Sequence, residues 1–313
     1  MMEFKGKRIL VTGGHGFLGT PLCNQLESLS PSEIIAPRSK EYDLTREAEV
    51  KALFEDCSPD AVIHAAARVG GIEDNRTHPG EIYYKNAMMN TLMVHHAHLN
   101  KVQKFVGVGS VCAYPKVAPI PFKEENLWDG YPEETNAPYG MSKKMMLIQI
   151  QAYREQYKFP GVFLLPVNLY GPGDHFNDTS SHVISAMIYK FEKAIANKEK
   201  KVTLWGDGSP TREFLYVEDA ARAISLALQK LDTHLPVNIG SGEEVSIKKL
   251  SELVSSFLGY EGEIIWDTSK PNGQPRRLFD SSRANKLMGF EAKTTFEDGL
   301  RKTIEWYMKN KKQ

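Results

Sequence analysis

A glycine-rich turn, placed between a strand pattern and a helix pattern, constrains the fold of this chain more than any other feature. The apolar run Arg8–Thr12 is typical of a short buried strand, and apolar side chains recur at helical spacing from Phe17 to Leu29. Between them, glycines in the pattern G-x-G-x-x-G allow a tight turn, close approach of a pyrophosphate and close packing of the helix on the strand. We therefore predict the first βα unit of a dinucleotide-binding sheet. Its cofactor-binding residues would be Gly13, Gly14, His15, Gly16, Phe17, Leu18 and Gly19.

Strand and helix patterns alternate through the first half of the chain. The candidate strands are Glu33–Ala36, Ala61–Ala67, Phe105–Gly109 and Val162–Val167, and the candidate helices lie at Val50–Phe54, Asn86–Leu99 and Ser142–Tyr157. Alternation of elements of this length predicts an α/β fold, a doubly wound, Rossmann-like parallel sheet with helices on both faces.

The residue pattern changes at Asn168, where clusters of turn-forming residues begin. This change predicts a second, smaller α/β domain. The later candidate helices are Val183–Ala196, Val217–Leu228, Ile247–Leu258 and Phe296–Met308, and the later candidate strands are Val202–Trp205, Val237–Gly240 and Glu263–Trp266. We assign residues 1–167 plus 214–240 to an NADP-binding Rossmann domain, and residues 168–213 plus 241–313 to a discontinuous substrate domain.

The bulk composition argues against several classes of protein. Lysine plus arginine and aspartate plus glutamate both number 39, so there is no net charge to attract nucleic acid or an anionic membrane. No apolar run reaches the ~18 residues of a membrane span, and the start of the chain lacks a signal-peptide core. The three cysteines are not in C-x-x-C spacing, and the spacing of His95, His96 and His98 fits no common metal site. We expect a cytoplasmic protein without a metal.

The end of the second candidate strand predicts which dinucleotide is bound. NAD sites usually carry Asp or Glu there to hold the ribose hydroxyls. This chain instead has Arg38, where the 2′-phosphate of NADP would lie, so NADP is favoured over NAD. The alternative is that Arg38 is an ordinary solvated side chain. Asp43 and Leu44 are placed to meet the adenine.

Ser110, Tyr139 and Lys143 form the candidate reaction centre. Tyr139 and Lys143 are four positions apart and so share one face of a helix, where the ammonium can lower the pKa of the phenol. Ser110 closes a candidate strand, and at the carboxyl end of a parallel sheet its hydroxyl can donate to a substrate carbonyl. The three side chains together predict hydride transfer at a carbonyl or alcohol carbon.

These motifs resemble the extended short-chain dehydrogenase/reductase family. Within that family, several stretches are similar to the branch of GDP-L-fucose synthases, which are bifunctional epimerase-reductases. The stretches are Ala65–Ile72, Gly109–Pro115, Asn168–Pro172, Ser181–Ile184, Trp205–Phe214 and Asp267–Pro271. The chain departs from the pattern of the branch at Val111 and Ala113, at Ser185, where proline is common, and at Lys190, where arginine is frequent.

The resemblance implies an NADPH-dependent 3,5-epimerase/4-reductase that converts GDP-4-keto-6-deoxy-D-mannose to GDP-L-fucose or a close GDP-deoxysugar. It implies that Cys112 is the base and His182 the acid of the epimerisation. In an extended segment Cys112 would point to the same side as Ser110. Two plainer alternatives remain, namely that Cys112 is a small buried hydrophobe and that His182 caps a helix.

The remaining site residues and partners follow from the same resemblance. The cofactor would also contact Ala65, Ala66, Ala67, Tyr139 and Lys143. The GDP-sugar would contact Val69, Gly70, Asn168, Asn177, His182, Lys190, Trp205, Arg212 and Lys270. A homodimer through residues 86–99 and 142–157 is implied. Two other functions stay open, a nucleotide-sugar 4-epimerase or simple 4-ketoreductase, and a non-catalytic nucleotide-sensing module, although the Ser110, Tyr139 and Lys143 set argues against the latter.

Overall fold

The computed structural model describes residues 3–177, 182–270, 272 and 274–311, without the side chains of residues 72 and 73; two motif residues, Ser181 and Pro271, lie outside this part. The strands are β1 Arg8–Thr12, β2 Glu33–Ile35, β3 Ala61–His64, β4 Lys104–Val108, β5 Gly161–Pro166, β6 Asn168–Tyr170, β7 Lys201–Trp205, β8 Thr211–Tyr216, β9 Val237–Ile239, β10 Glu244–Ser246, β11 Glu263–Asp267 and β12 Arg276–Arg277. The helices are α1 Gly19–Glu27, α2 Glu47–Cys57, α3 Ile72–Thr77, α4 Pro79–Leu99, α5 Ala137–Tyr157, α6 Val183–Ala196, α7 Val217–Lys230, α8 Ile247–Leu258, α9 Ser282–Met288 and α10 Phe296–Asn310. Short 3₁₀ helices cover Val111–Ala113 and Glu124–Trp128.

The central sheet has six parallel strands in the order β2-β1-β3-β4-β5-β9. Strands β3, β4 and β5 are buried along their whole length, as expected when helices cover both faces. Helix α1 packs against α7, while α4 packs against α2 and α5, which gives the two helical layers. The predicted doubly wound fold is confirmed. The chain order reverses between β1 and β3, so a crevice opens at the carboxyl ends of these two strands.

A second group of strands and helices follows the central sheet in the chain. Strand β8 pairs with β6, β10 and β12, and β7 pairs with β11. These strands enclose a separate apolar core with α6, α8 and α10, which includes Tyr170, Phe191, Phe214 and Leu250. Phe279, Met288 and Phe290, although late in the chain, belong to the core of the central sheet. The domain boundaries given above stay a prediction.

Several elements begin or end away from the predicted positions. Helix α4 begins at Pro79 and α5 at Ala137, each with a proline in its first turn, where the missing N–H costs no intrahelical hydrogen bond. Strand β3 ends at His64, three residues before its predicted end, because the backbone of Ala66 leaves the ladder and donates to the Thr12 hydroxyl at 3.3 Å. In the described part of the chain, no helix has both the length and the apolar composition that a membrane crossing requires.

Candidate active site

The turn after β1 has the close contacts that require glycine. Gly13 has a φ of +75°, and a Cβ there would lie 2.9 Å from the Ala66 nitrogen. A Cβ on Gly19 would lie 2.0 Å from the Gly13 carbonyl oxygen, and one on Gly14 would lie 2.7 Å from the Ala36 Cβ. Since real Cβ atoms do not approach so closely, the turn keeps its shape only without side chains at these positions.

A cavity of about 840 Å³ opens beside this turn, at the carboxyl ends of β1 and β3. Most of the residues predicted to bind the cofactor line it, together with Val69, Gly70 and His182 from the predicted substrate set. The predicted residues on its wall are Gly13, His15, Gly16, Phe17, Leu18, Gly19, Arg38, Asp43, Leu44, Ala65, Ala66, Ala67, Val69, Gly70 and His182. Residues that the sequence did not single out are Pro37, Ser39, Tyr42, Thr45, Arg68, Lys85, Met89, Asp174 and His175. Three residues predicted to bind the cofactor, Gly14, Tyr139 and Lys143, are absent from this wall. Gly14 is buried against Ala36 and Cys23.

Arg38 and Asp43 lie at the β2 side of the cavity. The Arg38 side chain is exposed, and its backbone N–H donates to the Glu41 carboxylate at 2.7 Å. The Asp43 carboxylate accepts from the backbone N–H and the hydroxyl of Thr45, at 3.0 and 2.7 Å, which lowers the pKa of Asp43. The Asp43 carboxylate is therefore ionised and held by hydrogen bonds within its own turn. The neighbouring guanidinium of Arg38 remains available to an anionic ligand.

Ser110, Cys112 and Tyr139 come together beyond the end of β4. The Ser110 hydroxyl oxygen accepts from the Cys112 backbone N–H at 3.2 Å and is also hydrogen bonded to the phenol of Tyr139. The segment that carries Cys112 is a 3₁₀ helix rather than an extended strand, so the period-two argument that placed Cys112 beside Ser110 was wrong. The Ser110 side chain caps this helix instead, and the cap brings the two residues together.

Burial is the main cause of the shifted pKa values of Tyr139 and Lys143. Lys143 is 1% exposed, its ammonium lies 5.8 Å from the centre of the Tyr139 ring, and burial lowers its pKa to about 7. The Tyr139 ring keeps an accessible edge, yet the protein surrounds it closely enough that desolvation raises its pKa, with Cys112 adding to the rise and the Ser110 hydrogen bond opposing it. This direction is opposite to the predicted lowering, because the desolvation of the phenol outweighs the hydrogen bond that favours its ionised form.

A chain of buried hydrogen bonds connects the glycine turn with the helix that carries Tyr139 and Lys143. Thr12 Oγ1 lies 2.7 Å from His64 Nδ1, and His64 Nε2 lies 3.1 Å from Asn90 Oδ1. The Asn90 amide donates to the Ser142 carbonyl oxygen at 3.1 Å. Burial, and then the charge of Lys143, lowers the pKa of His64 to about 3, so the ring is neutral and donates from Nε2. The sequence analysis missed this chain, since its residues come from four different elements.

His182 precedes the first turn of α6. It is the N-cap residue, but its side chain makes no capping hydrogen bond, which removes the simple capping interpretation. Its Nδ1 lies 3.4 Å from Oδ1 of Asp174, a side chain that is 2% exposed. The His182 side chain is 55% exposed, and its contact with the Asp174 carboxylate raises its pKa. Asp174 stands among turn residues in the sequence, and no pattern there indicated that the fold would pair it with His182.

The residues predicted to hold the nucleotide lie outside the wall of the large cavity, on the second group of strands. Arg212 and Arg277 are register partners on β8 and β12, and burial and then the charge of Arg277 lower the pKa of Arg212 to about 10. The Lys270 ammonium lies 5.9 Å from the centre of the Trp205 ring, which is 68% exposed. Arg277 was missed because its strand has only two residues.

Three further predicted contacts are engaged within the protein. The Asn168 amide donates to the Glu213 carbonyl oxygen at 3.3 Å, and the Lys190 ammonium donates to the Thr203 carbonyl oxygen at 2.5 Å. Asn177 is half-buried. The structure therefore brings Lys190 to β7, but it places Asn168 in the β6–β8 pairing.

The helical histidines pack against neighbouring rings. His98 stacks on Tyr157 with ring centres 4.3 Å apart, His96 stacks on Phe54, and His95 Nδ1 lies 2.9 Å from the Tyr153 hydroxyl. Among the residues that the structure describes, no group of three or more His, Cys, Asp or Glu side chains is arranged to hold a metal ion.

Comparisons with known proteins agree with the geometry. Residues 9–240 match the model of the NAD dependent epimerase/dehydratase family. The chain is 40% identical over 309 residues to GDP-L-fucose synthase 1 of Arabidopsis thaliana, which covers 99% of this chain and 95% of that protein. It is similar to the solved structure of a GDP-L-fucose synthetase from Naegleria fowleri bound to NADP, with a TM-score of 0.90 and 27% identity over 99% of this chain and 96% of that one. A GDP-6-OMe-4-keto-L-xylo-heptose reductase from C. jejuni gives a TM-score of 0.91 and 27% identity, over 99% of each chain. The predicted resemblance is confirmed.

Proposed function

The chain belongs to the NAD dependent epimerase/dehydratase family, and from that premise we propose that it is an NADPH-dependent 3,5-epimerase and 4-reductase of a GDP-4-keto-6-deoxyhexose. The expected conversion is GDP-4-keto-6-deoxy-D-mannose to GDP-L-fucose or a close GDP-deoxysugar. The observation that carries this proposal is the cluster of a thiol, a hydroxyl and a phenol, Cys112, Ser110 and Tyr139, at the sheet edge that also carries the glycine turn. The high similarity to a plant GDP-L-fucose synthase supports the substrate class.

The residues of the cavity fit NADP. The close contacts of Gly13, Gly14 and Gly19 keep the turn after β1 tight, and the N–H groups at the start of α1 favour an anion such as a pyrophosphate. Arg38 offers an exposed guanidinium to a 2′-phosphate, while Ala65, Ala66 and Ala67 form an apolar wall. When bound, NADPH supplies the hydride that reduces carbon 4 of the sugar.

The ketone at carbon 4 of the sugar acidifies the protons on carbons 3 and 5. In the proposed epimerisation, Cys112 removes each proton as the base and His182 returns a proton to the opposite face as the acid. The negative charge develops on the ketone oxygen, where the hydroxyls of Ser110 and Tyr139 would stabilise it by hydrogen bonding.

Reduction at carbon 4 generates an alkoxide that must be protonated. Tyr139 is the proposed donor, since its raised pKa keeps the phenol protonated at neutral pH. Lys143 lies on the same helix face and would orient the phenol and the cofactor ribose. The pKa of His64 is about 3, so its ring stays neutral at neutral pH. Of the two side chains, only Lys143 therefore gains a proton near neutral pH.

The GDP moiety would bind on the second group of strands. Arg212 and Arg277 place two guanidiniums side by side, an arrangement suited to a diphosphate, and Lys270 adds an ammonium above Trp205. Lys190, Asn168, Asn177, Val69 and Gly70 remain proposed contacts of the sugar nucleotide. Arg277 is added to this set because of its effect on the Arg212 pKa.

A single assay tests the proposal. GDP-4-keto-6-deoxy-D-mannose is incubated in heavy water with the protein, with and without NADPH, and the product is analysed by mass spectrometry and NMR. Deuterium at carbons 3 and 5, together with one NADPH oxidised per sugar, is the expected result. If neither deuterium incorporation nor NADPH oxidation occurs, the proposal is wrong.

A second candidate function is 4-keto reduction without epimerisation. The structural similarity to the GDP-heptose reductase favours it. The same assay distinguishes the two functions, because a simple reductase oxidises NADPH but leaves carbons 3 and 5 without deuterium. A 4-epimerase that oxidises and re-reduces its sugar would instead consume no net NADPH.

The proposal also covers the location, the oligomeric state and the partners of the protein. We infer a cytoplasmic homodimer that acts on a small GDP-sugar, with neither nucleic acid nor a membrane as a partner. The zero net charge supports the absence of a nucleic-acid role. Exposed apolar side chains on α4 and α5 support an interface between two copies of the chain.

A further inference from the structure

Asp174 is a buried carboxylate on the wall of the dinucleotide cavity, next to the imidazole of His182. Its two oxygens have different partners. Oδ1 accepts from the His175 backbone N–H at 2.8 Å and lies 3.4 Å from His182 Nδ1. Oδ2 accepts from the Ser185 hydroxyl. Because both oxygens are engaged, the carboxylate has one fixed orientation relative to the imidazole.

Ser185 ties this carboxylate to the helix that His182 begins. The residue lies in the first turn of α6, is completely buried, and uses its hydroxyl for the bond to Asp174. A carboxylate at the N-terminal end of a helix is also favoured by the helix dipole.

We propose that Asp174, held by Ser185, is a positioning residue for His182, orienting the ring through Nδ1 and balancing the charge of the imidazolium that donates the proton from Nε2. The inference rests on the proposed epimerase function for the role of the proton. The orientation itself rests on the contacts of Asp174 alone.

The charges around His182 agree with this role. An opposite charge at 3.4 Å favours the protonated imidazole, and the pKa of His182 is raised, first by Asp174. The other titratable or charged side chains on the cavity wall are His15, Arg38, Tyr42, Asp43, Arg68, Lys85 and His175. Among the described residues, only Asp174 forms an ion pair with His182 or has a charge effect on its pKa.

The first experiment needs no substrate. The titration of His182 is followed by NMR in protein labelled at histidine, and its signal is assigned by comparison with His182→Asn. Asp174→Asn keeps a hydrogen-bond acceptor but removes the charge, so we expect the His182 pKa to fall by about 1 unit. Asp129→Asn, the same change at an exposed position, should leave it in place. An unchanged His182 pKa in Asp174→Asn would overturn the proposal.

A second variant tests the role of Ser185, and it keeps the proposal testable if Asp174→Asn fails to fold. Ser185→Ala leaves the carboxylate in place but frees its rotation, so the His182 pKa should fall by less than in Asp174→Asn. The matched control is Ser251→Ala, since Ser251 is buried in α8 and donates within its own helix. Equal titration curves for Ser185→Ala and the wild type would remove Ser185 from the proposal.

The third experiment connects orientation with catalysis. Deuterium incorporation at carbons 3 and 5 is measured against pH in the wild type and in Asp174→Asn. Because the acid acts in its protonated form, the alkaline limb should move to lower pH by the same amount as the NMR pKa. A wild type that incorporates no deuterium would refute the proposed function and leave the NMR result to decide the positioning role. A wild type that incorporates deuterium, with an unmoved limb in Asp174→Asn, would refute the positioning role.

Discussion

Cys112 differs from the other two cysteines in what surrounds it. Its backbone N–H is capped by Ser110 and it raises the pKa of Tyr139, whereas Cys57 is the last residue of α2 and is buried in the core. These surroundings cannot be inferred from the chain order, so the sequence singled out Cys112 only because it lies in a recognised motif. Burial and neighbours, which decide whether a thiol reacts, depend on residues far apart in the chain.

We predict that Cys112→Ser slows deuterium incorporation at carbons 3 and 5 by about 100-fold or more, because a hydroxyl is a far weaker base than a thiolate. NADPH affinity, measured by fluorescence titration, should change little. Cys57→Ser is the matched control and should affect neither quantity. Equal losses of exchange and of NADPH affinity in Cys112→Ser would identify a structural cysteine.

The second prediction at the residue scale concerns Arg38. Removal of its guanidinium in Arg38→Ala should weaken NADPH binding by about 10-fold or more, because a charge-assisted contact with the 2′-phosphate is lost. NADH binding should change little. Lys40→Ala, a neighbouring exposed cation that does not line the cavity, is the control. The assignment fails if the ratio of NADPH to NADH affinity is the same in Arg38→Ala as in the wild type.

Lys143 makes the stability of the protein depend on pH. Its pKa is about 7 when folded, well below its ordinary value of 10.5, so the unfolded state binds more protons between these two values. The resulting destabilisation is absent above about pH 10.5 and complete below about pH 7, where it amounts to a few kcal/mol at most. Lys143→Met should therefore gain stability over the wild type most at pH 6.5 and least at pH 10.

Urea unfolding at these two pH values measures the effect. The matched control is Lys51→Met, on the exposed face of α2, which corrects for the loss of a surface ammonium. If the free-energy difference between Lys143→Met and the wild type is the same at both pH values, burial does not lower the pKa of Lys143 as described.

At the scale of elements, the hydrogen-bonded chain from Thr12 to Ser142 fixes α5 relative to the sheet. Asn90 is its centre, since it accepts from His64 and donates to the carbonyl that precedes Lys143. Asn90→Leu keeps the size of the side chain but leaves both partners unpaired, which should cost about 2–4 kcal/mol of unfolding free energy. NADPH oxidation should also slow, because the Tyr139 and Lys143 helix is less well positioned.

The measurement compares urea unfolding and single-turnover NADPH oxidation. Asn100→Leu, at the exposed end of the same helix, is the control and should change both only slightly. If Asn90→Leu were as stable and as fast as the wild type, the chain would play no part in holding α5.

The same scale explains which elements were predictable. Long periodic helices and fully buried strands carry a strong local signal, so the six strands of the central sheet were found. The short strands Arg276–Arg277 and Asn168–Tyr170 lack the pair of β-branched apolar residues that marked the equally short β2 and β9, and their pairing partners decide them. Arg277 was missed for this reason. Asp174, which lies outside any strand or helix, was missed because its partner His182 is brought to it by the fold.

At the scale of the whole molecule, α4 and α5 leave an apolar surface that no other described part of the chain covers. Ile148 is 50% exposed, Tyr84 58% and Leu99 54%, and the two helices pack side by side. On α5, Met141, Met145 and Ile148 follow helical spacing along one face. Isolated exposed apolar residues are common, but a continuous stripe on two adjacent helices is typical of an interface.

We therefore predict that the protein sediments as a dimer at micromolar concentration, and that Ile148→Glu shifts it to a monomer, because a buried carboxylate in an apolar interface lacks a partner. Leu287→Glu, at a similarly exposed leucine on α9, should leave the dimer intact. A wild type that sediments as a monomer would exclude this interface. A monomeric Ile148→Glu that still exchanges deuterium would mean that each subunit contains a complete site.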